Sequence, residues 1–393
     1  MKILSSMFAG CSPALSILPL RVAIPLLSLG AGLALGQPAA AGGFAFSETG
    51  SLMTARAYHT ATLLGDGRVL VAAGSTGSET FVSAELYDPA TGTWSETGSL
   101  AVARYRHSAT LLLSGQVLVA GGLDQKSDSV ASAELYDPAT GMWTETGSLT
   151  QPRSTHTATL LPDGRVLVTG GGTTGGGGAL ATAETYDPAT GTWTPTGSLA
   201  EARFRHSATL LSSGLVLVEG GKNNSAGGAI ASAELYDPAT GLWTVTGSLA
   251  TPRFRQTATL LAGGKVLVAG GYGVNLSLLN SAEIYDPATG MWTATGSMQS
   301  KRAEFTANLL VNGRVLVSGG QGGPKASSEF YVPASGTWSS TGSLNDARSA
   351  HSATLLPDGS VLIAGGFGDG PPFVSPSIGV DHNALATVEV GVR

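Results

Sequence analysis

Cysteine is almost missing from this chain of 393 residues: there is one, Cys11. It lies within the first 41 residues, so the rest of the chain has no disulfide, no thiolate metal site and no cysteine nucleophile. Charge is sparse too, at 12% of residues. Lys2 and Arg21 are the only charges in residues 1–41, which leaves 27 acidic against 19 basic groups beyond them, a net of −8. That balance argues against nucleic acid or an anionic membrane surface as partner. No segment carries a helical period. The mostly apolar stretch at residues 22–35, without charge, has 14 residues and is short for a bilayer span. Gly-x-Ser-x-Gly elbows, phosphate loops and His-Glu-x-x-His motifs are also absent. The glycine run at 170–178 is no phosphate cradle, because neither a helix nor a lysine comes after it.

The leader differs in kind from the rest of the chain. Two basic residues, an uncharged run and Ala39-Ala40-Ala41 as a small-residue cleavage site read as a signal peptide over residues 1–41. Cleavage after Ala41, or after Gly36, gives a mature chain that is secreted or periplasmic. An exported chain without disulfides suits a bacterial envelope.

What is abundant is glycine, 56 residues, and a repeated phrase. Trp94, Trp143, Trp193, Trp243, Trp292 and Trp338 each close a phrase built on Asp-Pro-Ala-Thr-Gly-x-Trp, at intervals of 46 to 50 residues. A period of about 50 residues points to small sheets closed into a ring. In the second unit His107 to Leu112 alternates polar and apolar residues as a strand, and Ser114-Gly115 turns the chain. Val117 to Ala120 is an apolar run suited to burial on both faces, and Gly121-Gly122 ends it. Ala133 to Asp137 makes a third strand and Trp143 sits in a fourth. Each unit is thus a four-stranded antiparallel meander, too small to stand alone. Tyr and Trp supply most of its burial, roughly 150–250 Å² each.

The seventh unit has strands at 351–356, 361–366 and 386–390 but no tryptophan phrase. Phe46-Ser47-Glu48-Thr49-Gly50 aligns with Trp94-Ser95-Glu96-Thr97-Gly98. Residues 44–49 are therefore expected to complete the seventh blade and clasp the ring. The fold expected is all-β: one seven-bladed propeller over residues 42–393, with closure leaving only short protected edges.

The double glycines at 121, 170, 220, 270, 319 and 365, the Tyr about fifteen residues later and the Trp about seven after that resemble the kelch repeat. Unit one departs, with Ala73-Gly74. The wording Leu-Leu-Pro-Asp-Gly-x-Val-Leu at 160–167 and 355–362 resembles the propeller of galactose-oxidase-like proteins. Those copper radical oxidases need a Cys–Tyr crosslink and a further domain with metal ligands, which this chain lacks. The resemblance implies the fold; kelch propellers serve many unrelated tasks.

Two charged positions recur in every unit: Arg56, Arg104, Arg153, Arg203, Arg253, Arg302 and Arg348, and Glu85, Glu134, Glu184, Glu234, Glu283, Glu329 and Glu389. Seven identical copies read as a structural pair joining blades. Histidine stands three residues after that arginine at 59, 107, 156, 206 and 351, and Gln256 and Phe305 interrupt the series. Equivalent positions around a channel do not converge on one point, as zinc or copper would require. No metal or other cofactor is expected.

Departures from the frame carry the functional expectation. Tyr105-Arg106, Phe204-Arg205 and Phe254-Arg255 place aromatic and cationic groups on blade linkers of an acidic protein, with Tyr58 and Gln256 at related positions. Arginine grips a carboxylate or sulfate bidentately and a ring stacks on a sugar. By the resemblance, these linkers share one face with the loops after the double glycines, and the longest loop, with Pro371-Pro372-Phe373, is a candidate lid. The expected function is an exported, non-catalytic scaffold for a protein or anionic glycan, probed first at these residues. One alternative is a kelch-type periplasmic epimerase or mutarotase on an acidic sugar, with Glu304 as acid or base beside Arg205 and Arg255. A structural surface protein is the other. The chain is expected to be a monomer.

Overall fold

The structure, a computed structural model, describes residues 44–174, 178–224, 228–322, 326–368 and 383–392. The leader, Cys11, Pro371, Pro372, Phe373 and His382 lie outside them. Seven four-stranded antiparallel sheets succeed one another in chain order. Blade 1 runs Thr60–Leu63, Val69–Ala72, Ala84–Asp88 and Thr93–Glu96, and blades 2 to 6 repeat it. The first strand of each blade is innermost and touches the first strands of both neighbouring blades, so the inner wall closes on itself. The second strands are buried at every position, as their unbroken apolar runs require.

Blade 7 is made from both ends of the chain. Ser352–Leu355, Val361–Ala364 and Val388–Val392 are joined by Ala45–Glu48 as the outer strand. Phe46 faces Gly391 in the register where the other blades pair Trp with Tyr. A Cβ on Gly391 would collide with the Phe44 ring, so Phe44 fills the space a tyrosine takes elsewhere. The third strand starts two residues later than its sequence pattern indicates. The Thr387 carbonyl and hydroxyl are taken by Arg348 and the Ala386 carbonyl by Leu52 N, which makes this stretch a lead-in.

The core is a set of seven slabs, one between each pair of adjacent blades. The recurring Thr-Gly after each outer strand belongs to these joints. Thr97 Oγ1 bonds Tyr136 Oη at 2.8 Å, and Trp143 Nε1 donates to Gly98 O at 2.7 Å, so blade 1 is tied to the aromatic pair of blade 2. Tyr136 and Trp143 stand 5.0 Å apart between ring centres, and the same pair recurs in blades 1 to 6.

The repeated arginine staples two blades. Gly74 N donates to the Arg104 carbonyl from blade 1. The Arg104 side chain bonds Gly121 O, Ser132 O and Ser132 Oγ of blade 2 and pairs with Glu134 at 2.8 Å. Glu134 completes the joint by accepting from Ala101 N and Val102 N of the incoming linker. All seven pairs have this form, at 2.7–2.9 Å, with the arginines at most 2% exposed. Burial lowers the pKa of each guanidinium, and the partner glutamate opposes the shift.

Candidate ligand-binding site at the channel mouth

Two residues beyond each staple the chain does something unusual. Tyr58, Arg106, Thr155, Arg205, Arg255, Glu304 and Ala350 all adopt left-handed backbone, with φ between 51° and 55°. Non-glycine residues there carry a steric cost of roughly 1–2 kcal/mol each. The conformation closes a ring of main-chain hydrogen bonds. Arg106 N donates to Tyr58 O, Thr155 N to Arg106 O, Arg205 N to Thr155 O and Arg255 N to Arg205 O, at 3.0–3.1 Å. Glu304 N, Ala350 N and Tyr58 N continue the circuit at 3.1–3.4 Å back to its start. Glycine would serve this backbone without strain, so the retained side chains point to a role.

Those side chains surround a cavity of about 260 Å³ at the end of the channel. Tyr58, Arg106, Thr155, Arg205, Arg255 and Glu304 line it, with His107, His156, His206 and Gln256 behind them. Glu304, 6% exposed, pairs with Arg255 and accepts from Tyr58 Oη at 3.1 Å. Burial, and then the Glu304 charge, raise the Tyr58 pKa, so the phenol keeps its proton and acts as donor. The Arg106 guanidinium lies 4.2 Å from the centre of the Tyr58 ring. Among the described residues Arg205 has no carboxylate within ion-pair distance, and its Nε has no hydrogen-bond partner. Burial, then Arg255 and Arg106, pull its guanidinium down to about 9, so it stays charged at neutral pH.

Of the residues expected to bind ligand, Tyr58, Arg106, Arg205, Arg255 and Gln256 come together in this cavity. Tyr105, Phe204 and Phe254 do not line it. Each of these aromatics forms a β-bridge with the residue after its double glycine (Leu123, Lys222 and Tyr272), so its ring turns toward the loops. Phe254 is 2% exposed and stacked on Tyr272, and Tyr105 Oη bonds Ser127 Oγ at 3.0 Å. The same bridges put the blade linkers and these loops on one face.

The histidines form a wall. His156 Nε2 bonds Ser108 Oγ at 2.9 Å and His206 Nε2 bonds Thr157 Oγ1 at 3.0 Å, each reaching the previous blade. His59, His107 and His351 do the same. Burial first, then Arg56 and Arg153, hold His59 and His156 down at about 3, so both are neutral. Among the described residues no three His, Cys, Asp or Glu are grouped to hold a metal ion.

Two family models match the sequence: the KLHDC2/KLHL20/DRC7 Kelch-repeats domain over residues 58–246 and the Kelch motif over residues 253–299. No curated protein matches it. Among solved structures the chain is similar to a fungal alcohol oxidase of the AA5 family, determined in complex with copper. The TM-score is 0.67 at 18% identity, over 88% of this chain and 75% of that one. At this identity the likeness is one of fold.

Proposed function

The chain belongs to the kelch-repeat β-propellers, and from that premise we propose that it is an exported, non-catalytic binding scaffold for an anionic group of a protein or glycan. One observation carries this reading: three arginines and a single glutamate share the cavity, and Arg205 is buried there without an ion pair. A buried guanidinium without a counter-charge is costly, and a carboxylate or sulfate relieves that cost through charge-assisted bonds. The leader at residues 1–41 supports export.

The test is an array of acidic and neutral glycans probed with the wild type and with Arg205→Ala/Arg255→Ala. Retention of acidic glycans by the wild type and their loss from the double variant is the expected result. Equal retention by both removes the site. The second reading, an acidic-sugar epimerase or mutarotase, is favoured by Glu304 Oε2, which is buried and has no hydrogen-bond partner. Turnover abolished by Glu304→Gln is the outcome that supports it.

A further inference from the structure

Two atoms narrow the ligand further. Arg205 Nε, a donor, and Glu304 Oε2, an acceptor, lack a hydrogen-bond partner among the described residues, and because both are closed to solvent a ligand meets them only once their side chains turn toward the cavity. Both residues line the same cavity. The Nε atoms of the stapling Arg253, Arg302 and Arg348 are unmet as well, so what sets this pair apart is the cavity that both residues line, where a ligand carrying both complements would satisfy them. The acceptor it offers Arg205 is negatively charged, because Arg255 and Arg106 act on that guanidinium more strongly than Glu304 does, and three arginines share the cavity with one carboxylate. The donor it offers Glu304 is neutral. Glu304 is already paired with Arg255 and receives Tyr58 Oη, so an ammonium would enter a site where arginines outnumber the one carboxylate. A hydroxyl meets Oε2 without that repulsion.

We propose, resting on the anion-binding reading of this same site, that the ligand group is a hydroxycarboxylate. Its carboxylate meets Arg205 and its hydroxyl donates to Glu304 Oε2. The cavity of about 260 Å³ admits one such unit, either a free acid or an acidic residue at the end of a glycan.

Calorimetric titration of the full chain with four six-carbon probes tests this. D-gluconate carries both groups, hexanoate only the carboxylate, sorbitol only hydroxyls, and 6-aminohexanoate an ammonium in place of hydroxyls. The expected result is that gluconate binds at least ~10-fold more tightly than each of the others. Glu304→Ala, which copies the residue at the equivalent Ala350, brings gluconate and hexanoate to equal affinity. Arg205→Gly, compatible with the left-handed backbone, abolishes both. A trigalacturonate arm separates the sources: tighter binding than gluconate marks a glycan end, weaker binding a free acid. Hexanoate or 6-aminohexanoate binding as tightly as gluconate overturns the hydroxycarboxylate assignment while the anion site stands. Failure of every carboxylate to bind overturns both.

Discussion

Arg255 and Glu304 occupy the same position in two successive repeats, yet they are the one ion pair formed between ring positions among the described residues. Glu304 N also donates to Arg255 O at 3.4 Å, so one contact belongs to the frame and the other to the departure from it. The frame turns equivalent residues toward a common centre, where side chains that differ can meet. Arg255 pairs with Glu304 and leaves Arg205, one blade earlier, without an ion pair among the described residues.

The seven arginine–glutamate staples are interdependent with the blade joints. Glu134→Ala leaves the Arg104 charge buried and two linker N–H groups unmet, at an expected cost of ~3–5 kcal/mol in urea unfolding. Replacing both partners with apolar residues should cost markedly less. A single variant within ~1 kcal/mol of wild type contradicts the staple.

Acid should destabilise the propeller through its histidines. His156 is held at about 3 in the fold against an ordinary value near 6.5. The unfolded chain therefore takes up a proton first as pH falls through 6.5, and stability declines until the folded histidine protonates near 3. Gln256 already fills the equivalent position in blade 5. His156→Gln should lose ~1 kcal/mol less than wild type between pH 7.5 and 5.5. Parallel pH curves for the two proteins are the contrary result.

Glu219 acts in the opposite direction. It is fully buried, and the Ser207 hydroxyl across the strand pair is the one hydrogen-bonding group beside its carboxyl among the described residues. Burial pushes its pKa well above the ordinary carboxylate value, opposed by Arg203. The unfolded chain ionises first as pH rises, so stability falls from about pH 4.5 up to the folded pKa. Glu219→Gln keeps the shape without the titration, and its advantage over wild type in urea midpoint should grow between pH 4.5 and 7.5. A constant difference contradicts a neutral Glu219.

Left-handed backbone at the ring separates binding from folding. Arg205→Gly suits a φ of 54° and should stay within ~1 kcal/mol of wild type. Arg205→Val, β-branched at the same φ, should lose roughly 1–2 kcal/mol more. Thermal melts of the two variants check the order.

The architecture was legible because its joints are written in sequence. Thr-Gly, Tyr and Trp recur since each blade hydrogen-bonds the next through them, and Phe46 marks the seventh place even though tryptophan is absent there. The site was legible in part. Tyr105-Arg106, Phe204-Arg205 and Phe254-Arg255 read as joint surfaces, but only the arginines line the cavity, although Arg106 and Arg205 stay 5.8 and 5.5 Å from the Tyr105 and Phe204 ring centres. Nothing in the composition announces positive φ at seven non-glycine residues. Thr155 was not singled out for that reason, while His107, His156 and His206, whose fixed offset from the stapling arginine is plain in the sequence, were weighed only as metal ligands.

A crystal structure of the protein with D-gluconate is the most direct test of the central claim. The account predicts the carboxylate against Arg205 and a hydroxyl against Glu304 Oε2 inside the ring of left-handed residues. Gluconate bound at the opposite face, or an empty mouth at saturating ligand, would contradict it.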